Sequence, residues 1–324
     1  MSDSVIVQNN IDLRKKQHIS FSEYYLYRQC PFRWYLQYYL GIKEPANEFL
    51  VFGSAIHESI EEILKDSSKK DKIGDILREK IKENSNSTMA NSFFGKNMAK
   101  DGVDILKKLN FYERFRGIDI AGIEDDLYLP LVEVNGIQIY FKGFIDFLGQ
   151  YQKEDRYIVL DWKSAIKEWN LEKKIGTIPF SEINKKIKNN EELTREEYES
   201  LSAKYFFGQT ALYQHFTSEK YEIDVNKIDV EYCTLIRQPA DVKEYRINVT
   251  DEFREWALED IKKVAKEIYT FKEGQFLNKV KIERKLKKYC GFCFYKKDIC
   301  NDCEKQSLSK EEVKIIEENL QKNG

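Results

Sequence analysis

The hydrophobic period of this chain changes partway along, and that change limits the folds open to it. Residues 52–65, FGSAIHESIEEILK, place Ile56, Ile60, Ile63 and Leu64 at helical spacing. From residue 125 the pattern becomes that of strands. DDLYLPLVEV, IQIYFKGFIDFLGQ and DRYIVLDWK follow one another, with Asn135-Gly136 as a hairpin turn between the first two. The segment TREE at Thr194–Glu197 forms a capping box and opens a helix carrying YFFGQTALYQHF. Two more strands, KIDVEYCTLIR and VKEYRINV, precede a helix over 251–271. This order predicts an α/β or α+β core around a central mixed sheet, with helices flanking it.

The remaining segments decorate that core. Residues 20–42 predict two short helices, the first capped by Ser22 and the second carrying Pro31 in its first turn. Residues 66–116 predict helices broken by a loop at ENSNSTMANS. Residues 164–194 are rich in lysine and show no clear period.

Charge narrows the function. Lys+Arg (53) nearly cancels Asp+Glu (55) over 324 residues, which excludes a generally basic coat for nucleic acid. A local basic groove stays open, because binding follows the local field. No apolar run approaches the ~20 residues of a membrane span. The N-terminus, MSDSVIVQNNIDLRKKQ, lacks the pattern of a secretory signal. A cytoplasmic protein without membrane contact is expected. In a reducing compartment, clustered cysteines indicate metal more often than disulfide.

The chemistry concentrates in GFIDFLGQYQKEDRYIVLDWK. Side chains alternate along a strand, so Asp161 and Lys163 share a face and Trp162 takes the other. If the strands are neighbours, Asp146 joins them. Two carboxylates with a lysine suit a hard divalent cation, Mg²⁺ or Mn²⁺, that holds a phosphate. Taken alone, the same residues also read as surface carboxylates bridged to a lysine. The apolar setting of Asp146 favours the site, since an unpaired charge there would be costly. His57, in GSAIHES, can complete a metal shell or sit satisfied by a carboxylate. Gln209 and Tyr213 are one helical turn apart, so they share a face and, with Tyr205, suit contact with nucleic acid. A core-facing stripe would explain Tyr213 equally well.

In order, GSAIH, GFID, DWK and QTALY resemble the RecB-like branch of the PD-(D/E)XK nucleases. The resemblance implies a restriction-endonuclease-like core over residues 20–305, with a tail at 1–19 and a helix at 306–324. It implies a metal site of His57, Asp146 and Asp161, with Lys163 catalytic beside them, and DNA contact by Gln209 and Tyr213. The implied activity is metal-dependent cleavage of DNA, as an exonuclease on ends or single strands. Repair, recombination, phage replication or CRISPR adaptation would be the setting, with a helicase or recombination protein as partner. A catalytically idle DNA-binding subunit is the alternative, although such a site tends to lose members.

RQCPFRWYLQYY and CGFCFYKKDIC further resemble an iron–sulfur-containing subset, which includes AddB and the CRISPR-associated adaptation nucleases. That resemblance implies a [4Fe–4S] cluster on Cys30, Cys290, Cys293 and Cys300. The local spacing leaves a rival open: Cys290, Cys293, Cys300 and Cys303 could hold structural Zn²⁺ in a binding protein without chemistry. Cys233 reads as core. The basic stretch Lys279–Lys288 suits phosphates or a solvated helix face.

Overall fold

A computed structural model describes residues 16–41, 44, 47–84, 93–170, 178–270, 293 and 295. In chain order its main elements are β1 (His18–Ser20), α1 (Phe21–Gln29), α2 (Pro31–Trp34), α3 (Glu48–Lys65), α4 (Ile73–Asn84), α5 (Phe93–Leu109) and α6 (Phe111–Arg114). Then come β2 (Ile118–Val134), β3 (Ile137–Tyr151), β4 (Tyr157–Ala165), α7 (Phe180–Lys188), α8 (Arg195–Tyr221), β5 (Ile228–Arg237), β6 (Ala240–Arg246) and α9 (Asp251–Tyr269). The six strands form one mixed sheet in the order β1-β3-β4-β5-β6, with β2 also paired to β3. This is the mixed, helix-flanked α/β sheet that the sequence pattern predicts. The predicted basic stretch at 279–288 and the helix at 306–324 lie outside the described residues.

Chain contacts divide the protein into two compact units. The first comprises Met1–Pro45, Tyr128–Lys142 and Leu258–Gly324; the second comprises Ala46–Leu127 and Gly143–Ala257.

In the first unit, α1 starts at Ser20, whose hydroxyl accepts the Glu23 N–H at 3.2 Å. Ser22, the cap expected from sequence, is the second residue of the helix instead. Cys30 caps α2, its Sγ accepting the Arg33 N–H at 3.5 Å, and Pro31 follows as expected. The Asn135-Gly136 turn has positive φ at both residues (+52° and +76°), as a tight two-residue hairpin requires. Tyr24 donates to Asp260 at 2.6 Å and Arg28 at 2.8 Å, which ties α1 to α9.

The second unit carries a continuous core. Phe52, Ile56 and Ile60 of α3 and Leu77 of α4 meet Phe147, Leu160, Trp162 and Leu235 of the sheet. Burying each such side chain is worth roughly 1.5–3 kcal/mol. Strand β4 lies between β3, antiparallel, and β5, parallel. A strand with two neighbours and covered faces reads as a nearly unbroken apolar run, which explains YIVL. The parallel step from β4 to β5 needs a long crossover, and α8 lies within it. Thr194 and Glu197 exchange hydrogen bonds at 3.2 and 2.7 Å, so the capping box forms. Cys233 is fully buried in this core, and burial pushes its thiol up to about 12.

Two segments differ from the sequence pattern. Strand β2 begins at Ile118 rather than near 125. Its first residues lack the alternation that marks a half-buried strand, because most of them are only partly covered. The lysine-rich segment 164–194 contains helix α7, whose Asn184 donates to Glu252 at 2.9 Å.

Candidate active site

The antiparallel ladder of β3 and β4 ends at Phe147 opposite Leu160. Asp146 and Asp161 lie one residue beyond that pair, where the two strands stop pairing with each other. Asp146 Oδ2 accepts the backbone N–H of Trp162 at 2.6 Å, so the side chain reaches across where the ladder stops. Trp162 is buried in the core, while Asp161 and Lys163 pair on the opposite face, as strand alternation demands.

Lys163 Nζ lies 2.5 Å from Asp161 Oδ2 and donates to Gln209 Oε1 at 3.0 Å. Gln209 Nε2 in turn donates to Asp161 Oδ1 at 3.3 Å. The ion pair is not aligned as a hydrogen bond, so Asp161 Oδ2 is buried without a hydrogen-bond partner among the described residues. The Lys163 ammonium balances the charge of that oxygen.

Helix α3 delivers His57, with Nδ1 3.6 Å from Asp146 Oδ2. One turn earlier stands Gly53. A Cβ there would meet Ser164 Oγ at 3.3 Å, so glycine lets the helix approach the end of β4. Burial pushes the His57 imidazole down to about 4, with Lys163 also lowering it and Asp161 opposing. The ring is therefore neutral near pH 7 and able to donate a lone pair.

A residue that sequence reasoning missed completes the cluster. Donor atoms of His57, Glu124 and Asp146 all lie within 4.8 Å of one another. Glu124 has a left-handed backbone (φ +49°) inside β2, an irregularity of the kind that re-aims a strand side chain. The available signal was the acidic run Glu124-Asp125-Asp126 beside an apolar strand. Of the predicted metal trio, His57 and Asp146 belong to this convergent set, whereas Asp161 is held by Lys163 and Gln209. Burial first, then the nearby Asp161, raises the Asp146 carboxyl well above its ordinary range. Burial, followed by Glu61, raises Glu124 as well. Two carboxyls held uphill together mark a place that favours positive charge.

Gln209 and Tyr213 are each only 7% exposed. The structure thus turns Gln209 toward Asp161 and Lys163 rather than presenting it to solvent. Tyr213 is buried, and burial raises its hydroxyl pKa. Tyr205 packs against Trp256, with ring centroids 5.4 Å apart. Gln209→Ala is accordingly expected to lower kcat about 10-fold or more with little change in KM, because two polar partners lose their alignment. Steady-state kinetics on a labelled oligonucleotide checks this; a pure KM effect would restore the DNA-contact role.

In the first unit, Cys30 and Cys293 are both partly exposed and interact electrostatically, together with Arg33. Burial raises the Cys293 thiol pKa. Arg33 itself is held by Glu44 at 2.5 and 2.7 Å. Cys290, Cys300 and Cys303 lie outside the described residues.

Asp146, Asp161 and Lys163 thus meet on neighbouring strands of a mixed sheet. In the family comparison, residues 18–301 match the PD-(D/E)XK nuclease superfamily. The chain belongs to that superfamily. Among solved structures, a candidate exonuclease from Eubacterium rectale is 16% identical, with a TM-score of 0.47 over 82% of this chain and 85% of that one. The structure of SSO0001 is 11% identical, with a TM-score of 0.36 over 87% of this chain and 91% of that one. No curated protein matches the sequence.

Proposed function

We propose that this protein is a metal-dependent DNA nuclease that acts as an exonuclease on DNA ends or single strands. The observation that carries the reading is the convergence of His57, Glu124 and Asp146 in one cavity of about 480 Å³ with Lys163. One imidazole and two carboxyls within 4.8 Å of one another, with the Asp161 carboxylate beside them, fit a hard divalent cation. Bound Mg²⁺ or Mn²⁺ would supply a Lewis acid for the phosphate and make a water more acidic. His57, Glu124 and Asp146 would hold the cation, with Asp161 beside them. Lys163 offers its ammonium to the phosphate, where negative charge grows during attack. Gln209 keeps Asp161 and Lys163 aligned. A complete set of this kind favours catalysis over an idle DNA-binding subunit.

The same reading includes a [4Fe–4S] cluster on Cys30, Cys290, Cys293 and Cys300. It is supported by the proximity of Cys30 and Cys293, which come from opposite ends of the chain. A zinc site on Cys290, Cys293, Cys300 and Cys303 would have no use for that proximity. The biological setting is repair, recombination, phage replication or CRISPR adaptation, with a helicase or recombination partner. No described helix is long and apolar enough to cross a membrane.

Digestion of single- and double-stranded DNA labelled at either end tests the activity. Release of label that requires Mn²⁺ or Mg²⁺ is expected; no cleavage of any substrate with either ion would refute it. The metal site has its own measurement. Raised carboxyl pKa values mean that, without a cation, the stability contributed by Asp146 and Glu124 is present at low pH and lost as pH rises through their folded pKa values. Below that range protons also compete with metal. At one fixed concentration Mn²⁺ should therefore raise Tm more at pH 8 than at pH 5; where it stands at a hundredfold excess over Kd the gain in stability is about 2.7 kcal/mol. Asp146→Asn should abolish most of the shift. A shift independent of pH, or one kept in Asp146→Asn, would move the metal elsewhere.

A further inference from the structure

The cavity has a second kind of wall. Phe49 and Leu50 line it together with His57, Asp146 and Lys163, and they are 47% and 57% exposed. Both sit in the first turn of α3. Asn47 caps that turn, its Oδ1 accepting the N–H groups of Phe49 and Leu50 at 3.0 Å each. The two apolar side chains are thus mounted on a rigid helix end, not on a loop.

Along α3 the cavity wall changes character in order. Phe49 and Leu50 are apolar. Gly53 and Ser54 are small, and Ser54 is exposed. His57, Glu58 and Glu61 are metal-binding or acidic. With a rise of 1.5 Å per residue, Leu50 lies about 10 Å before His57 along the axis. An apolar end, a slim middle and a cation-binding end match the parts of a nucleotide: base, sugar and phosphate.

We infer that Phe49 and Leu50 are the seat of a nucleobase next to the scissile phosphate, and that they make the site selective for unpaired bases. The inference rests on the nuclease reading and deepens it. If cation and Lys163 hold the phosphate, the attached sugar runs along the cavity wall at Gly53 and Ser54. The base then meets the phenyl ring and the leucine, which offer apolar contact to any base without reading its edge. A base stacked within a duplex has both faces covered by its neighbours. Only a single-stranded or frayed terminal base has a face to give.

The test separates this seat from the nuclease reading by measuring binding without cleavage. Full-length protein is titrated, with Ca²⁺ in place of Mg²⁺, into fluorescein-labelled single-stranded oligonucleotides that carry one abasic residue at successive positions. In the wild type, one abasic position should weaken binding about 10-fold. The double variant Phe49→Ala/Leu50→Ala should weaken binding of the intact strand by a similar factor, and the abasic penalty at that position should vanish. Both side chains are largely exposed, so the variant should keep its Tm; Phe49→Trp, which preserves an aromatic face, should bind at least as tightly as wild type. Unchanged affinity in the double variant, or an abasic penalty that persists in it, overturns the seat while leaving the nuclease standing. Failure of the wild type to bind any oligonucleotide overturns both.

Discussion

Replacing Lys163 by methionine, or Asp161 by asparagine, is expected to lower kcat for DNA cleavage by about 1000-fold while the fold survives. The magnitude follows from the loss of one preorganised charge aimed at a transition state, which typically costs 100- to 1000-fold, and from the loss of alignment in its partners. Lys163 is the cation nearest the carboxylates, 2.5 Å from Asp161, and only part of it is buried. Folding depends on the other face of β4, where Ile158, Leu160 and Trp162 join the core. Asparagine keeps the shape of Asp161, and methionine keeps the unbranched stem of Lys163 while removing the Nζ that donates to Gln209. Circular dichroism and single-turnover cleavage with Mg²⁺ or Mn²⁺ give the two readouts. Wild-type rates in either variant would remove these residues from the chemistry, and a collapsed spectrum would show that the pair serves the fold instead.

The second large effect concerns colour. Protein purified without oxygen should be brown, Cys30→Ser should be colourless, and Cys303→Ser should stay brown. Cys30 sits between α1 and α2, and its sulfur caps α2. A serine oxygen is a good helix cap, so the substitution leaves the helix start intact and the lost colour reports the ligand itself. Cluster binding is coupled to folding, so Tm should fall with the colour. Iron and zinc analysis of both variants decides between the metals. Zinc retained in Cys30→Ser and lost in Cys303→Ser would overturn the cluster. A brown Cys30→Ser variant would free Cys30 to be a small buried thiol and cap.

Much of the candidate site can be read before folding is considered. The shared face of Asp161 and Lys163 is a property of any strand, and the capping box at Thr194 needs only four consecutive residues. The Asn-Gly turn likewise needs only backbone conformations that asparagine and glycine accept easily. These features depend on interactions a few residues long, so local spacing suffices. Even there, capping partners shifted: Ser20 took the place of Ser22, because both hydroxyls suit the role and the chain direction at β1 selects one.

What the linear pattern could not contain is which distant groups converge. Glu124 enters the cluster because β2 pairs with β3 and its backbone turns left-handed at that residue, and the local run of acids does not say which member will face inward. Gln209 has the spacing of a surface contact, yet packing of α8 against the sheet buries it on Asp161 and Lys163. The raised carboxyls of Asp146 and Glu124 arise from burial and then from neighbouring carboxylates, Asp161 and Glu61 respectively, quantities that exist only once the strands and α3 are assembled. By itself, then, the sequence determined the strand faces, the turns, the caps and the order of the motifs, since each is set by short-range geometry. Tertiary structure alone decided the convergence of His57, Glu124 and Asp146, the burial of Gln209 against Asp161 and Lys163, and the closeness of Cys30 to Cys293, because long-range pairing and desolvation select among residues that are locally equivalent.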